Sequence, residues 1–272
     1  MHDFKIGDVV TRKSYGGDVH FKIVDIINPG GKKPVYVLRG MLYRLHADCL
    51  GEDLVKHDTR DVHAHVRQNI TNFKKHASTK SSHGGLLSFL NKLRTRPGRI
   101  LHIDSSKEFL DMCLEHYREG GLNPIGIRSD ESEQPSVVKR LLERYHADIL
   151  VLTGHDSMKK SYGKTDSIEA YSNSRYFIEG VKLAREYEPS ADKLCIFAGA
   201  CQSYFEAIMS AGANFASSPG RVLINALDPA FVAEKVALTD SKRVVTPGLI
   251  AGITVSGADG IGGINTKGHL MM

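Results

Sequence analysis

Ala147-Asp-Ile-Leu-Val-Leu-Thr-Gly-His-Asp156 and Lys193-Leu-Cys-Ile-Phe-Ala-Gly-Ala-Cys-Gln202 share one form. In each, a short apolar run leads through a small-residue step to a side chain capable of chemistry. Apolar runs this short, set between helical stretches, read as strands buried on both faces of a parallel sheet. Such strands end at the edge where α/β proteins place their chemistry. His155 and Cys201 are thus expected as neighbours in space, although 201 − 155 = 46 positions separate them.

The alternation extends outward. Arg99-Ile-Leu-His-Ile-Asp104 reads as a strand, and Ser105 with Glu108 forms a capping box for the helix that follows. Gly120-Gly121 stops that helix, and residues 122–127 give a second strand. Val137, Val138, Leu141, Leu142 and Tyr145 mark the face of another helix. Residues 148–153 form the third strand and 193–197 the fourth, with helices over 176–187 and 204–211. Val222-Leu-Ile-Asn225 is the candidate fifth strand, and Asp228 can cap the helix after it. Residues 98–272 are therefore expected to be an α/β domain with a parallel sheet between helices. Gly260-Ile-Gly-Gly263 follows no strand-to-helix pattern and lacks the Lys-Ser/Thr of a phosphate loop, so it reads as rim turns.

Residues 1–57 differ. Their β-branched, partly alternating runs at 8–10, 19–27 and 34–38 are broken by Gly16-Gly17 and by residues 28–33. Residues 39–47 could add a further strand, and the spacing predicts a small β-barrel. Residues 58–97 read as a basic linker with a short helix over 62–73, and 78–85 have linker composition.

The chain has 272 residues, 41% hydrophobic and 25% charged, which is enough for a proper core and excludes wholesale disorder. The net charge of +5 gathers before residue 100, and it permits an anionic partner without requiring one. Few aromatics interleave with the basic residues, which argues against nucleic acid. No apolar stretch reaches the length of a membrane span. The first twenty residues are charged and turn-rich, unlike a secretory leader, and the cysteines at 49, 113, 195 and 201 include no C-x-x-C pair. A reducing, cytoplasmic setting without disulfides is expected.

A thiol beside an imidazole is the minimum equipment for a thiolate nucleophile. Cys201 stands where a strand gives way to a helix, so backbone N–H groups point toward it. The ordinary role of a buried cysteine fits Cys195 and Cys113 better, because Gly199-Ala200 leaves room only ahead of Cys201. The Cys and His spacings do not match structural zinc sites, and neither metal nor cofactor is expected.

The two blocks 149–155 and 194–201 resemble the caspase-like cysteine peptidases, the clan of legumain, clostripain and the gingipains. There the catalytic His follows one hydrophobic strand, and the catalytic Cys, preceded by Ala, follows the next. Residues 4–18, 150–156 and 197–214 more closely resemble the sporulation-specific YabG peptidase family, and the likeness covers essentially the whole chain. One departure from the clan is Asp156, where caspase-type sites usually carry Gly.

The resemblance implies a caspase-like peptidase domain and peptide hydrolysis through an acyl-enzyme. Cys201 would attack and His155 would protonate the leaving amine. The backbone N–H groups of Cys201 and Asp156 would hold the oxyanion. Cleavage after arginine in spore-coat and related precursor proteins is implied, in the mother cell and in association with the coat. A guanidinium pocket needs a carboxylate. Asp104, at the end of the first strand, is the first choice and Asp228 the second, with Gly199 giving the pocket floor its space. Arg94, Arg96 and Arg99, beside the linker composition, are expected sites of self-cleavage, releasing the barrel. Two alternatives remain. One is a non-enzymatic basic barrel adaptor on an α/β scaffold. The other is an amidotransferase-like hydrolase, in which the Cys precedes the His, the reverse of the order here.

Overall fold

The computed structural model describes residues 4–28, 30, 33–81, 95–159 and 166–271. Five antiparallel strands come first: β1 (Val9–Arg12), β2 (Phe21–Ile27), β3 (Val35–Gly40), β4 (His46–Leu50) and β5 (Leu54–Lys56). Their order is β4-β3-β2-β1-β5. Phe21 and Ile23 alternate with exposed residues along β2 and pack with Val10 and Leu38 on one apolar face. The expected barrel is corrected to an open sheet. The turn at Gly51–Asp53 carries the chain from β4 to the far side of β1, and among the described residues no ladder joins β4 to β5. Residues 39–47 are not one strand either. β3 ends at Gly40, and the turn before His46 leaves the sheet.

The stretch read as a linker is mostly a long helix, α1 (Thr59–Ser81). No Gly or Pro interrupts it. Val62 and Val66 bury against Val9 with Ile70 alongside, the four-residue spacing of one helix face. Lys74 reaches Glu119 of the α/β domain at 2.8 Å. Residues 82–94 lie outside the described residues.

From residue 100 the chain alternates: β6 (Ile100–Asp104), α2 (Lys107–Glu119), β7 (Ile125–Arg128), α3 (Gln134–Tyr145), β8 (Ile149–Thr153), α4 (Ser174–Tyr187), β9 (Cys195–Ala198), α5 (Phe205–Ser210), β10 (Phe215–Ser217) and α6 (Asp228–Leu238). The short pieces β11 (Val244–Val245), α7 (Pro247–Ile253), β12 (Ile261–Gly263) and β13 (Thr266–Lys267) follow. The main sheet runs β12-β10-β9-β8-β6-β7, parallel except for β12. This is a mixed α/β sheet whose order reverses between β6 and β8, where such sheets open a crevice at their carboxyl ends.

Period-two alternation assigns the two faces. Ile149, Val151, Cys195 and Phe197 pack with Cys113 and Tyr117 of α2 and Phe231 of α6. Leu150, Leu152 and Ile196 pack with Leu142 of α3 and Phe177 of α4. Among the described residues no helix is long and apolar enough to cross a membrane.

Three local expectations are corrected. Residues 222–225 are not the fifth strand; Phe215–Ser217 is. β7 starts at Ile125, because Pro124 has no N–H for a ladder. The cap of α2 is Ser106, whose hydroxyl accepts from the Phe109 N–H at 3.3 Å, while Ser105 turns to Glu131. The glycine-rich tail includes the edge strand β12, where a Cβ at Gly263 would strike Phe215 and the Asn214 carbonyl.

Candidate active site

His155 and Cys201 follow β8 and β9, paired strands whose last matched residues are Leu152 and Ala198. Parallel neighbours must deliver their following loops to one edge, so the two residues share the crevice side of the sheet. Gly199, at φ +111°, turns the chain out of β9. A Cβ there would press on Ser217, Ile208 and Ser203. The glycine expected at the pocket floor serves this turn and its packing.

The Cys201 sulfur is fully buried, accepts from the Ile224 N–H at 3.1 Å and lies 3.7 Å from the Ile224 carbonyl. Burial pushes its thiol up to about 12, against a smaller downward pull from the Ile224 N–H and Arg44. The His155 ring is 2% exposed and stacks on Phe109, with centroids 5.3 Å apart. Burial, reinforced by Arg39, holds it well below the usual histidine range. The resting pair is therefore a neutral thiol and a neutral imidazole. Among the described residues His155 Nδ1 has no hydrogen-bond partner, and Glu131 Oε1 stands 4.0 Å away.

Glu131 went unnoticed in the sequence. Its Oε1 accepts from the His155 N–H at 2.7 Å and from the Ser105 hydroxyl at 2.5 Å, fixing the loop after β8. Only its place just after a strand of the same sheet edge could have signalled it. Asp156 is the other organiser. Its carboxylate accepts from the N–H groups of Ser157 and Asn173 and from the hydroxyls of Ser174 and Ser203. It thus ties the loop after β8 to the start of α4 and to the loop carrying Cys201. Burial raises its pKa to about 6, with those hydrogen bonds opposing. The side chain turns into this network while its N–H faces the crevice.

Asp104 ends β6 on the same face as His102, fully buried. Burial pushes its pKa up, but the Arg44 guanidinium, the His102 ring and the Ser106 N–H together outweigh burial and hold it well below the usual carboxylate range. Arg44 Nη1 donates to Asp104 Oδ2 at 2.6 Å, and the Thr153 hydroxyl donates to the same oxygen at 2.8 Å. Asp104 therefore does bind a guanidinium, one supplied by the chain itself. The Arg44 carbonyl oxygen accepts from the N–H groups of Cys201 and Asp156 at 3.3 and 3.4 Å.

Asp228 is engaged by the backbone. Its carboxylate accepts from the N–H groups of Val255, Ser256 and Asn225, at 2.7, 3.2 and 3.3 Å. The second-choice carboxylate thus anchors the turn after α7. Arg96 and Arg99 are exposed but held: Arg96 exchanges both backbone hydrogen bonds with Met271 at 2.9 Å, and Arg99 pairs with Asp148 at 3.0 Å. Arg94 lies outside the described residues.

A cavity of about 1410 Å³ opens between α1, α2 and the end of β3, with Arg39, Met41, Phe109, Met112 and His155 among its walls. That is larger than an ordinary small-molecule pocket and suits a polypeptide.

Over residues 5–272 the chain matches the family described as YabG peptidase U57. It is 37% identical, over 98% of its own length and 96% of the relative's, to the sporulation-specific protease YabG of Bacillus subtilis strain 168.

Proposed function

The chain belongs to the YabG peptidase family and is a protease of sporulation, and from that premise we propose that it is a caspase-like cysteine endopeptidase cutting after arginine. Its substrates in this reading are spore-coat and related precursor proteins, met in the mother cell and at the coat. The observation that carries the reading is the surroundings of the Arg44 carbonyl, where two strand-end amides meet one oxygen while the arginine head sits on Asp104.

The steps follow from those positions. The Cys201 sulfur attacks the carbonyl carbon of an arginyl peptide. The negative charge that develops on oxygen is met by the N–H groups of Cys201 and Asp156, already directed at such an atom. His155 accepts the thiol proton and gives it to the leaving amine, then activates water for deacylation. Glu131 acts as a positioning residue, through the His155 N–H. Asp104, on a rigid strand end, selects the guanidinium in geometry a lysine would not reproduce.

The test is cleavage of matched peptides with Arg, Lys or Asp before the scissile bond, by the purified protein and by Cys201→Ala. Hydrolysis confined to the Arg peptide and abolished in a folded Cys201→Ala protein is expected. Equal activity in both proteins would remove Cys201 from the mechanism.

A further inference from the structure

The turn joining β3 to β4 does not end in solvent. Tyr43 bridges Asn225 antiparallel, and Leu45 bridges Asp156 in parallel. The Arg44 N–H donates to the Ile224 carbonyl at 3.0 Å, and its carbonyl accepts from Cys201 and Asp156. Its side chain is fully buried, with Nη1 on Asp104, Nη2 on the Ala226 carbonyl at 2.8 Å and the Phe109 ring 5.1 Å from the guanidinium carbon. An extended substrate binds in this way, with main-chain pairing on the flanks, the carbonyl on the oxyanion donors and the side chain in its pocket.

We propose that this hairpin is a built-in inhibitor, resting on the arginine-directed reading above: Arg44–Leu45 lies where a scissile bond lies, and the single chain is latent until the hairpin withdraws. A merely structural Arg–Asp bridge would need only the side chain. It would not require the Arg44 carbonyl to share the amides of Cys201 and Asp156. Nor would it account for a candidate nucleophile whose thiol is fully buried.

The hairpin also explains why the bond would persist. Attack by the Cys201 sulfur would form a thioester to Arg44 and break the bond to the Leu45 nitrogen, with the thiol proton passing through His155 to that nitrogen. Both new ends stay in place, since Arg39 and His46 are paired in the sheet and the Gly40 N–H holds the Leu45 carbonyl at 2.9 Å. The tethered amine attacks the thioester again at very high effective concentration, restoring the bond and the thiol. The occupied subsites also describe the substrate: an arginine whose preceding residue runs extended beside Asn225.

Gly40 offers a lever that leaves the site untouched, because a Cβ there would meet the Tyr43 carbonyl oxygen at 2.5 Å. The experiment compares hydrolysis of an acyl-Tyr-Arg-aminomethylcoumarin by the wild type, Gly40→Ala and Arg44→Ala, with melting curves to establish folding. Both variants should raise kcat/KM at least tenfold. Arg44→Ala strands Asp104, so Gly40→Ala and the wild type carry the result if that protein does not fold. In the wild type, an arginyl chloromethyl ketone should label Cys201 at a rate that levels off with reagent concentration, because withdrawal of the hairpin limits it. Equal kcat/KM in wild type and variants, or labelling that stays linear in reagent, overturns the inhibitor and leaves the peptidase reading standing. Hydrolysis and labelling absent from every form would overturn both.

Discussion

Arg44 and Asp104 form a fully buried pair, and removing either partner leaves a charge without water or counter-ion. Each single alanine variant should lose about 3–5 kcal/mol of stability. The double variant Arg44→Ala/Asp104→Ala should lose less than the sum, since no charge is stranded. Denaturant titration of the four proteins checks this, and strict additivity would mean the two side chains do not interact. His155 permits a second test at this scale. Its folded pKa lies well below its free value, so the folded protein refuses a proton that the unfolded chain accepts. Above about pH 6.5 both states carry the neutral ring and the site contributes no pH dependence. As the pH falls through about 6.5, stability is lost. His155→Gln should therefore gain in melting temperature relative to wild type between pH 8 and 5. A constant difference across that range would show that the ring is not held neutral.

Elements differ in how clearly the sequence announces them, and the reason is locality. β6 and β8, five fully buried residues each, produce apolar runs visible without knowledge of their neighbours. The placement of His155 and Cys201 at one sheet edge was legible because they stand just after such runs. β10, three residues long, leaves no periodic trace, and residues 222–225 looked more strand-like while serving as the chain that receives Cys201 and Arg44. The role of Arg44 was not legible, since its partners lie at 104, 201 and 226 and only packing joins them. Residues 95–99 show the same limit: Thr-Arg-Pro-Gly-Arg99 stands beside a stretch of linker composition, yet Gly98 is buried and a Cβ there would strike His269. Of the three arginines proposed for self-cleavage, Arg96 and Arg99 can enter a cleft only after this bridge opens. New N-termini after Arg96 or Arg99 should thus form faster in freshly purified wild type when mild denaturant opens these pairings, with Cys201→Ala intact. Cutting after Arg99 at the same rate in native buffer would contradict the restraint seen here.

At the scale of the whole molecule, the N-terminal sheet and the α/β domain are joined by more than the chain between them. Arg44 and its hairpin enter the crevice, α1 packs on α7 and reaches α2 through the Lys74–Glu119 pair, and Lys22 reaches Glu108 at 3.4 Å. The last two are exposed pairs worth little by themselves. The hairpin contributes most, because it buries an arginine, Leu45 and main-chain hydrogen bonds together. A cut in the segment 94–99 would then not release the sheet, contrary to what a flexible linker implies. Fragments of a nicked wild-type protein should migrate apart on a denaturing gel yet elute as one species on size exclusion in native buffer. Nicked Gly40→Ala, with its turn displaced, should release the sheet at lower denaturant than nicked wild type. Two peaks from the nicked wild type in native buffer would mean that the hairpin does not hold the two parts together, and latency would then end with the cut itself.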